Sequence, residues 1–112
     1  MRKASATGID PRFAPVVDAF AKDRRVTYGG KGFGSTALKI DGKIFAMMSS
    51  KGQFVVKLPK DRVNQLVRLR RGEYFDPGHG RPMKEWLALE GAARSWLELA
   101  REAHRFATAG KR

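Results

Sequence analysis

Two short apolar runs, "STALKI" at 35–40 and "KIFAMM" at 43–48, are separated only by Asp41-Gly42. A two-residue hairpin loop takes a type I′ turn with positive φ at both central positions, and Asp-Gly is among the dipeptides that tolerate it. The chain must therefore fold back on itself at 41–42, with one strand on each side. A third run, "QFVVKL" at 53–58, follows the looser turn signal "SSKG" at 49–52. Together they predict a three-stranded antiparallel meander.

Helical spacing flanks this meander. "DPRFAPVVDAFAKD" offers Asp10 as an N-cap and Pro11 at the first helical position. Phe13, Val16, Val17 and Phe20 then recur at i, i+3, i+4 and i+7, which predicts a helix over 11–23. Lys60 to Arg71 reads as a second helix with Val63, Leu66 and Val67 inside. Gly72 would take the left-handed position just past its end. "EYFDPGHGRPM" reads as a loop. "KEWLALE" reads as a strand with Trp86 on one side and Leu87 and Leu89 on the other, and its length also suits a helical turn. "AARSWLELAREAHRFATA" predicts a last helix with Trp96, Leu99, Ala100, Ala103 and Phe106 or Ala107 on one face. The fold class is α+β: a small antiparallel meander packed by N- and C-terminal helices. Residues 1–9 read as a flexible tail, and 10–109 as one domain.

The chain has 112 residues, and a domain of that size buries roughly 65% of its unfolded surface. It has no cysteine, which removes disulfides, thiolate metal sites and a cysteine nucleophile. No apolar run approaches the ~20 residues of a membrane span, and "MRKASATG" lacks the apolar region of a secretory signal. A cytoplasmic protein is expected. Charge is the outlier: 23 Lys and Arg stand against 11 Asp and Glu, a net of +12. A field of that sign attracts polyanions, nucleic acid among them.

No catalytic pattern accompanies the charge. "YGGKGFGST" at 28–36 is glycine-rich, but Lys31 is not placed directly before the hydroxyl as a P-loop requires. Gly30, Gly32 and Gly34 recur every second residue, which is not the dinucleotide spacing. The chain also leaves the stretch as a strand, not as the helix that would receive a phosphate. The serines fit no nucleophile signature, and His79 with Asp76 is too sparse for a metal. No enzyme, cofactor or metal is expected.

The middle of the chain is similar to a known family. Phe33-Gly34 after a glycine turn, Gly42 to Ala46, Val56 to Leu58, and Lys84 to Trp86 stand in the order and spacing of the MmcQ/YjbR-like proteins. The related N-terminal domain of the TfoX/Sxy competence regulators shares these features. The resemblance covers about residues 28–89. It implies a small α+β domain, a DNA-binding or transcription-linked role, and no agreed catalytic residues.

The residues that would carry such binding are basic. Arg68 and Arg71 lie in "RLRRG", where cations also complement a helix C-terminus. Lys39 and Lys57 alternate with core positions, so with Val55 they form the other face of the sheet. Arg81 and Lys84 stand near Trp86, itself read first as core, and Lys31 sits at the sheet's edge. The reading is a non-enzymatic DNA-binding domain that grips phosphates with Lys31, Lys39, Lys57, Arg68, Arg71, Arg81 and Lys84. The alternative is a protein-interaction module, for an acidic partner or a second copy of the chain.

Overall fold

In the computed structural model, the described residues are 11–29, 37–49, 52–76, 83–90 and 95–109. They form α1 (Ala14–Ala19), β1 (Val26–Tyr28), β2 (Ala37–Ile40), β3 (Lys43–Met48), β4 (Phe54–Lys57), α2 (Lys60–Arg68), β5 (Glu73–Phe75), β6 (Met83–Leu89) and α3 (Trp96–Ala109). One six-stranded sheet runs β1-β2-β3-β4-β6-β5, and every described neighbouring pair is antiparallel. The α+β class is as expected, and the meander β2-β3-β4 is its centre.

The hairpin turns where Asp-Gly demands it. Asp41 and Gly42 both have positive φ, 51° and 84°, and Ile40 pairs with Lys43 across the two-residue loop. The Asp41 N–H donates to the Arg25 carbonyl at 3.1 Å, and its carboxylate pairs with the Arg25 guanidinium. Those bonds dock β1, a three-residue strand not anticipated from sequence, against β2 with Val26 opposite Ile40.

All three helices lie on one face of the sheet. Phe13, Val16 and Phe20 of the α1 region, Val63 and Leu66 of α2, and Trp96, Leu99, Ala100 and Ala103 of α3 share one core. Leu38, Ile40, Phe45, Met48, Phe54, Val56, Leu58, Leu87 and Leu89 supply the sheet's side of it. A register shift between Leu38 and Lys39 leaves Phe45 without a partner on β2, and Phe45 stays with Ala46 on the helix side. The core centres on Phe54 and Trp96, whose rings stack 4.6 Å apart at 8°. Arg12 covers the indole at 5.1 Å. On α3, Ala107 rather than Phe106 packs against this core.

Three expectations need correction. The first helix spans Ala14–Ala19, not 11–23. A start at Pro11 would put Pro15 where it must donate to the Pro11 carbonyl, and proline has no N–H to give. The helix starts later, at Ala14, with Phe13 at the capping position and Pro15 in the first turn; Asp10 lies outside the described residues. Secondly, residues 73–75 of the expected loop form β5 and its last residue, Met83, already opens β6, which ends at Leu89.

The third correction concerns the end of α2, which stops at Arg68 instead of Arg71. Arg70, not Gly72, takes the left-handed position, with φ of 62°. Its N–H donates to Val67 O at 3.0 Å, and that of Arg71 to Leu66 O at 2.8 Å, which is the Schellman pattern. Gly72 is required for a different reason. A Cβ there would stand 2.7 Å from Leu87 Cδ1 and 3.2 Å from the Ala88 carbonyl, so a side chain at this entry to β5 would force Leu87 to shift.

Ion pairs tie the helical layer together. Arg62 forks onto Glu102 with two bonds of 2.9 Å, joining α2 to α3. Asp23, just past α1, accepts the Arg25 N–H at 2.9 Å and meets His104 Nε2 of α3 at 2.9 Å. The Arg25 N–H first, and then His104, hold the Asp23 carboxyl below the usual carboxylate range.

Arg70→Gly should relieve a left-handed arginine, which costs about 1–2 kcal/mol, less glycine's greater freedom when unfolded. The net expectation is a gain of about 0.5–1 kcal/mol in urea unfolding. Gly72→Ala should lose about 1–3 kcal/mol in the same measurement, because a buried leucine has to move. The Asp23 shift also gives a pH dependence. A carboxyl whose folded pKa is depressed stabilises the fold above about pH 4, and that contribution disappears as pH falls through the folded value. Urea midpoints measured from neutral to acid pH should show Asp23→Asn less stable than the parent near neutrality and converging with it in acid.

Candidate nucleic-acid interface

Alternation along each strand decides which side chains stand away from the helices. On β4, Phe54 and Val56 face the helical core while Val55 faces the other way. On β6, Leu87 and Leu89 face the core while Trp86 and Ala88 do not. The second face thus carries its own small apolar cluster: Val55, Phe75 and Ala88 are buried, and Met47 and Trp86 are partly buried against them. No described helix contributes to it.

Lys57 and Trp86 meet on this face. They are direct partners across β4 and β6, a position where side chains of antiparallel strands interact. The Lys57 ammonium stands 5.7 Å from the indole centroid, within the range of a cation–π contact. Lys39 is also partly buried and pairs with Ile44 on β3. It lies on β2, two strands from Lys57 in the order β2-β3-β4, or roughly 10 Å across the sheet.

The two lysines differ from three arginines that serve the fold. Arg25 is held by Asp41, Arg62 by Glu102, and Arg12 lies over Trp96 and donates to the Gly52 carbonyl at 3.2 Å. These guanidiniums are committed to the fold. Among the described residues Lys39 and Lys57 have no carboxylate partner, so their charge remains available to an incoming anion.

The arginines of "RLRRG" stand elsewhere. Arg68 closes α2, and Arg71 follows the left-handed Arg70 into the connection to β5. Arg70 and Arg71 line a polar cleft of about 580 Å³ with Glu73, Glu90 and Ser95. Two carboxylates on its wall offset the two guanidiniums. This cleft is at the sheet end where Glu73 pairs with Ala88, whereas Lys57 pairs with Trp86 nearer the Asp41-Gly42 turn. The structure therefore groups Lys39 and Lys57, and leaves Arg68 and Arg71 apart from them. Lys31 and Arg81 lie outside the described residues, as does His79. Lys84 is in β6, and its side chain is likewise outside them.

A second cavity, about 210 Å³, opens between the β2-β3 turn and the end of α3. Ile40, Ile44 and Phe106 line it together with Lys57 and Glu85. The glycine-rich stretch behaves as a strand connection at its described ends. Gly29 has φ of 87°, its N–H donates to the Ala37 carbonyl at 3.0 Å, and β2 follows. Among the described residues at its two ends no helix begins. Among the described residues, no group of three His, Cys, Asp or Glu side chains could hold a metal ion. None of the described helices is long and apolar enough to cross a membrane.

Sequence reasoning placed Lys39, Val55 and Lys57 on the second face but read Trp86 first as core. The structure corrects this: Trp86 is partly buried on that face. The alternation of Trp86 with Leu87 and Leu89 carried the signal. Met47, Phe75 and Ala88 were missed, because their place depends on pairings with β4 and β6 that no local pattern encodes. Compared with protein-family models, curated proteins and solved structures, the chain finds no match.

Proposed function

We propose that this chain is a non-enzymatic DNA-binding domain, and that the sheet face bearing Lys39, Lys57 and Trp86 is its contact surface. The observation that carries this reading is the pairing of uncommitted lysines with a partly exposed aromatic on the face that no described helix packs against. The net charge of +12 supplies the long-range attraction. The resemblance to the MmcQ/YjbR-like family and the TfoX/Sxy N-terminal domain points the same way. Binding of this kind rests on phosphate contacts and is weakly selective for sequence. Lys31, Arg81 and Lys84 are further candidate phosphate contacts on the grounds of sequence alone. Arg71 belongs with Arg70 to a separate, partly neutralised cleft, and Arg68 ends α2.

The apolar cluster beneath the lysines favours one other reading. Val55, Phe75, Ala88, Met47 and Trp86 would also suit a protein partner, either an acidic chain or a second copy. Such an interface would persist at high salt, where phosphate contacts fail.

A salt titration separates the two. Each phosphate contact contributes about 0.9 to the slope of log affinity against log salt on duplex DNA. Fluorescence anisotropy with a labelled oligonucleotide should show a steep slope for the parent chain. The Lys39→Gln, Lys57→Gln double variant should reduce it by about 2. Arg68→Gln with Arg71→Gln should change it less. Absence of binding to any duplex or single strand at low salt would remove the nucleic-acid reading, and a salt-resistant dimer by sedimentation would support the protein one.

A further inference from the structure

We infer that the sheet face is built for a single strand, with a nucleobase stacking on Trp86, and not for a duplex. This rests on the nucleic-acid reading above and specifies its ligand. Phosphates are common to both forms of nucleic acid, so the lysines alone do not choose between them. What a single strand adds is the open face of an unpaired base, and what receives it is an aromatic side chain. Among the described residues of this face, Trp86 is the aromatic that is not fully buried: it is partly buried on β6 and braced by Val55, Ala88, Phe75 and Met47. Its near neighbour is a cation, with Lys57 Nζ 5.7 Å from the ring centroid.

That lysine already occupies a position over the indole. A base arriving there displaces the ammonium from the ring, and the ammonium transfers to the phosphate of the same nucleotide. The weak cation–π contact is exchanged for a stack and an ion pair. The buried floor of Val55 and Ala88 does not move. Lys39, roughly 10 Å away across β3, stands where a neighbouring phosphate of an extended strand would pass.

The described helices offer little to a duplex. Reading the major groove requires an inserted helix or two-stranded ribbon. The outward positions of α3 alternate in sign, with Glu98, Arg101 and Arg105 exposed and Glu102 bonded to Arg62. Those of α2 include Asp61 as well as Lys60 and Arg68. No exposed stripe of one sign forms on either helix.

Three probes of equal length, about 12 nucleotides, decide the matter by anisotropy at fixed salt: a single strand, its duplex, and an abasic strand with the same phosphates. The intact chain should bind the single strand about 10-fold or more tighter than the abasic strand, and tighter than the duplex. Trp86→Ala should lower single-strand affinity by about 5- to 100-fold, and lower affinity for the abasic strand and the duplex by much less. Trp86→Phe should retain most of the affinity, and Trp86→Leu, which fills the same apolar site without a ring face, should not. Equal binding of all three probes, or of the parent and Trp86→Leu, would overturn the single-strand inference and leave the nucleic-acid reading standing. No binding to any of the three would overturn both.

Discussion

The fold depends on a one-sided arrangement, with a six-stranded sheet and all three helices against the same face. Because strand side chains alternate, this divides the sequence by parity. Val55 and Val56 are both fully buried, yet they belong to different clusters on opposite sides of β4. A slip of one residue would exchange the two sets and drive Lys57 into the helical core. The Asp41-Gly42 turn excludes that slip on one side of the meander, since its two positive φ angles fit only a two-residue loop. On the other side, β6 lies between β4 and β5 and fixes the register of both.

The insertion of β6 explains why α2 ends as it does. The chain leaves β4 at Lys57, crosses by α2, and must enter the edge strand β5 while leaving a place for β6. The exit from α2 is correspondingly tight. Arg70 adopts a backbone conformation that glycine usually supplies, and Gly72 is kept small by Leu87. A glycine so near a helix end suggests a C-cap, and here it serves the strand that follows. The two roles look alike in sequence because both ask for a missing Cβ, one for the sake of φ and the other for the sake of space.

The legible parts of the fold were those with local signals. Asp-Gly gave the hairpin, helical periodicity gave the inner faces of α2 and α3, and alternation put Lys39 and Lys57 opposite Leu38 and Val56. β1 and β5 were not legible because each has only three residues, too few to show a period. They are strands because β2 and β6 offer them hydrogen-bonding edges. The limits of α1 were not legible because a helix begun at Pro11, three residues too early, needs an N–H at position 15 that Pro15 lacks. The candidate site was legible as two lysines and a valine. Its aromatic member became part of it only through the pairing of Trp86 with Lys57, 29 positions apart in the chain.

That pairing also shows why a net charge of +12 is not in itself a binding site. Part of the described basic charge serves the fold. Arg25 fastens β1 to the hairpin, Arg62 joins α2 to α3, and Arg12 caps the Phe54–Trp96 stack. Removing any of these would weaken the protein without informing on its partner. Lys39 and Lys57 are different because the pleat turns them away from the helices, and no described carboxylate meets them there. The strand parity that buries Phe54 and Val56 thus also leaves the opposite face with lysines, one partly exposed indole and an apolar floor. A polyanion with something flat and apolar to bury satisfies all three features, whereas a bare anion satisfies only the lysines.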